Sequence, residues 1–140
     1  MENRAFLNSR VIEEDMQDIY ARGLDWQRLR GKTLLLTGAT GMLASYVAFF
    51  LIYLNEKHAM SMRLLFHVRS EEKARLRFGE YTDKPYASLV CHDLCEPWRV
   101  DERIDFIIHA ASLASPAYYK TMPVEVAEPN VLGAYHLLQL

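Results

Sequence analysis

Residues 32–55 read KTLLLTGATGMLASYVAFFLIYLN, and this stretch limits the possible folds more than any other. Lys32 opens a short apolar run over residues 33–36, Gly38 and Gly41 follow, and a long apolar segment without Gly or Pro comes next. The order is strand, glycine turn, helix, which is how an α/β sheet presents a helix N-terminus to a phosphate. In the spacing Gly38-x-x-Gly41-x-x-Ala44, Gly38 lets the strand leave the sheet through a conformation that a side chain hinders. Gly41 lets the backbone approach a pyrophosphate, and Ala44 sits where helix and strand pack closely. Thr37 and Thr40 add hydroxyls to the turn. A bare βα turn would also use glycines, so the motif alone leaves two readings open. A P-loop is excluded, because its glycines are wider apart and are followed by Lys-Ser/Thr.

The rest of the chain alternates in the same way. Val11, Ile12, Met16, Ile19 and Tyr20 share one side of an N-terminal helix, with Gly23 as its C-cap. Asp25 caps a short turn carrying Trp26 and Leu29. The first strand is apolar at consecutive positions, as in a parallel sheet buried on both faces. The helix after it, to about Asn55, is apolar nearly all round and needs cover on more than its sheet-facing side. Strands follow at 63–68, 87–91 and 105–111. Ser70 is the N-cap of a charged helix over 71–78, residues 79–86 are turn-like, and 99–103 hold a short helix in the connection to the fourth strand. Residues 112–122 form a loop, and a helix starts near Pro123, with Pro129 kinking or restarting it at Asn130. The periodic run is still apolar at Leu140, which reads as a cut. The expected fold is α/β: a Rossmann doubly wound parallel sheet over 32–140, truncated after the fourth strand and its helix, with a helical extension over 1–31.

Composition narrows the function classes. A 140-residue chain that is 51% hydrophobic and 24% charged suits one globular core. A net charge of −2 implies no general attraction to nucleic acid. Cys91 and Cys95, with only His92 between them as a further ligand type, make poor metal-site evidence and are expected as reduced thiols, one of them buried. Early acidic residues rule against a signal sequence, and the apolar run 42–54 is too short to span a membrane. A soluble cytoplasmic chain is the expectation.

The strand ends add chemistry. Arg69 stands where a ribose-reading residue belongs, and it is either a solvated surface arginine or a partner for a 2′-phosphate, the second of which points to NADP over NAD. Asp93 is either an acceptor for an adenine amino group or a turn-forming Asp. The fourth strand ends in His109-Ala110-Ala111-Ser112, small residues over which a flat cofactor can lie, with His109 read as a satisfied core histidine.

TGATGML, Asp93-Leu94, HAAS and PNVLGAYHLL together resemble the extended short-chain dehydrogenase/reductase family, the NAD(P)-dependent epimerases and dehydratases of nucleotide sugars. The resemblance spans about residues 32–140. It implies that Gly38, Thr40, Gly41, Met42 and Leu43 cradle a pyrophosphate, that Arg69 and Ser70 meet the adenosine ribose, and that Asp93 and Leu94 hold the adenine. It also places Ala110 and Ala111 on the ribose and nicotinamide side and matches Asn130 to the Asn of the next helix. SLASPAYYKTMPVE resembles the substrate loop of UDP-glucuronate decarboxylases, with Ser115, Pro116 and Tyr119 at matching positions and Tyr119 reaching the sugar. Arg69-Ser70 instead resembles the NADP-using sugar-nucleotide dehydratases.

The family's base is a Tyr-x-x-x-Lys pair on a later helix, where Lys lowers the Tyr pKa. Tyr118, Tyr119 and Lys120 are adjacent, not so spaced, and Pro116 lies four before Lys120. The chain is therefore expected to bind dinucleotide without catalysing a reaction, to hold no metal, and to form a homo-oligomer or pair with a further segment at the open edge of strand four. The competing reading is a non-catalytic dinucleotide sensor or an interaction module.

Overall fold

The computed structural model describes residues 9–113 and 115–140, so the first eight residues of the N-terminal extension and Ala114 of the substrate-like loop lie outside the description. Helix α1 spans Arg10–Tyr20, and a single 3₁₀ turn covers Trp26–Leu29. Strand β1 is Thr33–Thr37, helix α2 Met42–His58, strand β2 Arg63–Val68 and helix α3 Glu71–Phe78. A second 3₁₀ turn covers Gly79–Asp83. Strands β3 and β4 are Ala87–Cys91 and Phe106–His109, and helices α4 and α5 are Pro116–Thr121 and Pro123–Leu137.

The strands form one parallel sheet in the order β3-β2-β1-β4. Consecutive side chains point to opposite faces, and here each face has its own core. Leu34, Leu36, Leu64 and Phe66 pack with α1, α2 and α3, while Leu35 and Leu65 pack with Leu94 and with Leu137 of α5. As its all-round apolarity requires, α2 is covered beyond the sheet. Ile12 and Met16 of α1 join its core, Trp26 meets Phe50 edge-on at 4.7 Å, and Phe49 meets Phe78 at 5.7 Å. Asn55 finishes the crossover by bonding Met62 through both its amide nitrogen and oxygen, each at 2.9 Å, in place of a backbone pair.

Several local expectations change. α1 stops at Tyr20 with Ala21 as C-cap, and Gly23 lies beyond it at φ 72°. Asp25 occupies the cap position of its turn without a side-chain cap bond. α2 runs past Asn55 to His58. No helix forms over 99–103: Trp98, Val100 and Ile104 pack against the second core from an irregular connection. The stretch read as loop after Ser112 contains α4, begun by Pro116 in its first turn. Pro129 neither breaks nor restarts α5, which continues through it. β4 ends at His109, so Ala110 and Ala111 lie in the connection that follows.

The last helix lies on a sheet face and leaves the β4 edge open. Phe106, Ile107 and Ile108 are 40%, 38% and 36% exposed. An unpaired parallel edge with three exposed apolar residues is a template for association. We expect the 140-residue chain to self-associate through the micromolar range in sedimentation velocity, and Ile108→Lys to shift it toward monomer. A wild-type chain that stays monomeric there contradicts the expectation.

Candidate functional site

The C-terminal ends of β1, β2, β3 and β4 open into a cleft of ≈ 1260 Å³. Its floor is the glycine turn. Gly38 leaves β1 at φ 64°, and a Cβ there would lie 2.8 Å from Ala111 Cα and 2.9 Å from the Ala110 carbonyl oxygen. A side chain is therefore excluded both by the left-handed backbone and by the connection after β4. Gly41, at φ −65°, is the N-cap of α2, and no side chain caps that helix. The first amides of α2 are thus available to an anion, which the helix dipole favours.

The cleft walls carry opposite charge. Arg69, Lys73 and Arg77 line it from β2 and α3, while Glu125 and Glu128 line it from α5. Ser70 caps α3 as expected, its hydroxyl accepting from the Lys73 amide at 3.3 Å. The Arg77 guanidinium donates to Ser45 Oγ at 3.1 Å, which holds it beside α2.

Of the sequence-predicted residues, Gly38, Thr40, Gly41, Arg69, Ser70, Asp93, Leu94, Ala110 and Ala111 all line this cleft. Their side chains do not all face a ligand, however. Asp93 Oδ1 accepts from the Cys95 amide at 2.9 Å, a turn-forming bond that leaves the second carboxylate oxygen. Leu94 is 5% exposed and belongs to the core with Leu35 and Leu137. Met42 and Leu43 sit in the first turn of α2, outside the cleft lining, and are 78% and 77% exposed, so only their backbone amides suit the cradle. Asn130 is also outside the lining. Its amide nitrogen donates to Ser112 Oγ at 3.0 Å and to the Val126 carbonyl at 2.6 Å. Ser115 and Tyr119 stand on exposed α4, away from the cleft lining.

Cys91 and Cys95 are unpaired thiols lining the cleft, one exposed and one half-buried, so neither is the buried thiol expected. Burial and the neighbouring Asp93 push the Cys95 thiol up. Among the described residues no three His, Cys, Asp or Glu side chains gather to hold a metal.

The sequence reading missed the polar row beneath the floor. Register places Thr37 beside His67 on one side and His109 on the other. The Ala110 and Ala111 amides donate to Thr37 Oγ1 at 3.1 and 3.2 Å, and Thr37 Oγ1 lies 2.7 Å from His109 Nδ1. His109 Nε2 lies 3.0 Å from the Pro129 carbonyl oxygen. His109 is half-buried, outside both cores, and both of its ring nitrogens have partners. The apolar string FIIH signalled a strand but not these partners, which lie 20 and 72 residues away in sequence.

His67 is 2% exposed; its Nε2 bonds the His92 carbonyl at 2.6 Å, and its Nδ1 has no hydrogen-bond partner among the described residues. Burial holds its pKa below the ordinary 6.5. The unfolded chain then takes up this proton at higher pH than the folded one, so the neutral histidine's contribution is complete above the unfolded pKa and lost as pH falls toward the folded value. We expect the melting temperature to drop between about pH 7 and about pH 5, and His67→Gln, which keeps a donor for the His92 carbonyl, to flatten that drop. Parallel profiles for the two proteins contradict the assignment.

The spacing Tyr-x-x-x-Lys does occur once, as Tyr53–Lys57 on α2. Tyr53 is 7% exposed within the first core, outside the cleft lining, with its hydroxyl 3.4 Å from His58 Nε2. Burial raises its pKa, the opposite of what a proton-abstracting tyrosine needs.

Comparison with known proteins fits this geometry. Two Arabidopsis thaliana proteins, UDP-glucuronic acid decarboxylases 6 and 3, are 32% and 31% identical over 107 residues. Each alignment covers 76% of this chain and 29% of the relative, so the chain spans less than a third of their length. The solved structure of Pen from Bacillus thuringiensis superposes with a TM-score of 0.61 at 20% identity, over 79% of this chain and 34% of that one, which supports the fold. No helix among the described residues is long and apolar enough to cross a membrane. Residues 34–140 match the family model, and the chain belongs to the NAD dependent epimerase/dehydratase family.

Proposed function

We propose that this chain is the dinucleotide-binding part of a nicotinamide-dependent enzyme of nucleotide sugars, with NADP favoured over NAD. The observation that carries the reading is Gly38, whose missing Cβ lets the glycine turn and the Ala110–Ala111 backbone form one continuous floor beside the uncapped start of α2. That floor suits a pyrophosphate and a flat ring, which is the fit a nicotinamide dinucleotide requires. Arg69, with Lys73 and Arg77 behind it, supports the preference for an extra phosphate on the adenosine side. Asp93 keeps one oxygen for an adenine amino group while its other shapes the turn.

When bound, the cofactor supplies hydride transfer at a sugar carbon. The residues of this chain bind and orient it: the α2 amides take the pyrophosphate, Ala110 and Ala111 leave room for the ring, and Ser115 and Tyr119 are the candidate sugar contacts. The proton-moving tyrosine of the family is not among the cleft residues, so we assign this chain binding and not turnover. UDP-glucuronate is the first substrate to try with any longer form, given the relatives' names. A nicotinamide sensor with no turnover in any form is the competing reading. Single-turnover absorbance at the reduced nicotinamide band, in the longest form the gene encodes, separates the two. Reduction or oxidation of bound cofactor on adding a nucleotide sugar supports the enzyme, and saturable binding without it supports the sensor.

A further inference from the structure

We propose that His109 is a positioning residue for the cleft floor, a role that rests on the dinucleotide reading above. The contacts around it admit one ordered arrangement of protons. Thr37 Oγ1 already accepts two amides, from Ala110 and Ala111, so its own O–H is the proton shared with His109 Nδ1, 2.7 Å away. Nδ1 is then an acceptor, and the ring proton sits on Nε2, from which it is donated to the Pro129 carbonyl oxygen 3.0 Å away. The chain runs from the floor amides through β1 and β4 to α5.

Two further features tie α5 to the floor. A Cβ at Gly133 would lie a tight 3.3 Å from Leu94 Cβ and in ordinary contact, 3.7 Å, with His109 Cε1, so glycine there lets α5 pack closely over Leu94 beside the ring. A second tie runs in parallel, from Asn130 Nδ2 to Ser112 Oγ at 3.0 Å. Asn130 therefore acts on the floor through Ser112, a positioning role in place of the cofactor contact that the family resemblance implies.

Through its Nδ1 acceptor, His109 fixes the rotor of Thr37, and Thr37 fixes the two amides that close over Gly38. Through its Nε2 donor it fastens the floor to α5. Substitution can separate the two functions. His109→Asn keeps an acceptor near the Nδ1 position and loses the donor to Pro129. His109→Gln keeps a donor near the Nε2 position and loses the acceptor for Thr37.

The test uses the ¹⁵N-labelled 140-residue chain. Long-range imidazole correlations in the wild type should show the His109 proton on Nε2. NADPH titration by fluorescence should then give a Kd about tenfold higher in His109→Gln, and within about threefold of wild type in His109→Asn, on the scale of one net hydrogen bond. Each variant loses one bond, so a merely structural role would weaken both alike and give no such split. A proton on Nδ1, or equal affinities in the two variants, overturns the proposal, and the tautomer decides even where a variant does not fold. A wild-type chain that shows the Nε2 proton but binds neither NADPH nor NADH overturns the dinucleotide reading, and the positioning role with it.

Discussion

Gly38→Val abolishes dinucleotide binding and destabilises the chain by about 2–5 kcal/mol. Two independent costs meet at this position. The backbone sits at φ 64°, where an L-residue costs roughly 1–2 kcal/mol and a β-branched one has the least freedom. The added carbon also falls 2.8–2.9 Å from backbone atoms of Ala110 and Ala111, closer than real contacts allow. Those backbone atoms cannot simply give way, because Thr37 Oγ1 holds both amides. Either the connection after β4 shifts and the Thr37–His109 chain opens, or the glycine turn does. Both outcomes ruin the floor. Gly41→Val is the contrast: its φ of −65° is ordinary, and its Cβ would lie 3.2 Å from the Gly38 carbonyl oxygen. That variant should lose about 1 kcal/mol or less of stability while still weakening binding, because it crowds the approach to the α2 amides. Urea unfolding and NADPH titration of both variants check this pair. A Gly38→Val protein as stable as wild type would contradict the packing described here.

Arg69→Ala weakens NADPH by roughly 10- to 100-fold and leaves NADH within about twofold, if the guanidinium meets a phosphate through charge-assisted bonds. The cleft's charge pattern motivates the asymmetry. Arg69 is exposed at the end of β2 and, among the described residues, no hydrogen bond or ion pair engages its guanidinium; Lys73 and Arg77 extend the positive wall along α3. Glu125 and Glu128 on the facing wall disfavour the same phosphate there, so the cations orient the ligand as well as hold it. Lys73→Ala should produce a smaller loss of the same kind, and raising salt should narrow the gap between NADPH and NADH in the wild type. Equal loss of both dinucleotides in Arg69→Ala would mean that the arginine supports the fold or the pyrophosphate, not a 2′-phosphate.

What could be read from the sequence was local. The run 33–36 before Gly38, the Ser70 cap of α3 and the apolar string of β4 each depend on near neighbours in the chain, and each appears where it was expected. The misread segments are those where distant contacts decide. Residues 99–103 carry helix-compatible charges, yet Trp98, Val100 and Ile104 are drawn into the core around Leu35 and Leu65 from an irregular connection. Pro129 carries no N–H to bond one turn back. The Glu125 carbonyl loses that partner, yet α5 continues through Pro129, whose own carbonyl oxygen is met by His109 from β4.

The site follows the same division. That the glycines, Arg69, Ser70 and the small residues after β4 share one cleft was legible because motif spacing encodes a turn and a helix start. The polar row of His67, Thr37 and His109 was not, because the contacts between Thr37 and His109 join residues 72 positions apart, and only strand register brings them together. Leu94 and Asn130 show the converse. Family resemblance places them at the cofactor; the fold adds that Leu94 belongs to a core as well as to the cleft lining and that Asn130 braces Ser112, contacts the motif alone does not show.

The central claim is that the floor built on Gly38 takes a nicotinamide dinucleotide with an extra adenosine phosphate. Calorimetric titration of the wild-type chain with NADPH and with NADH tests it most directly. Saturable binding of NADPH, tighter than that of NADH, is the expected result. Absence of saturable binding by either would contradict it.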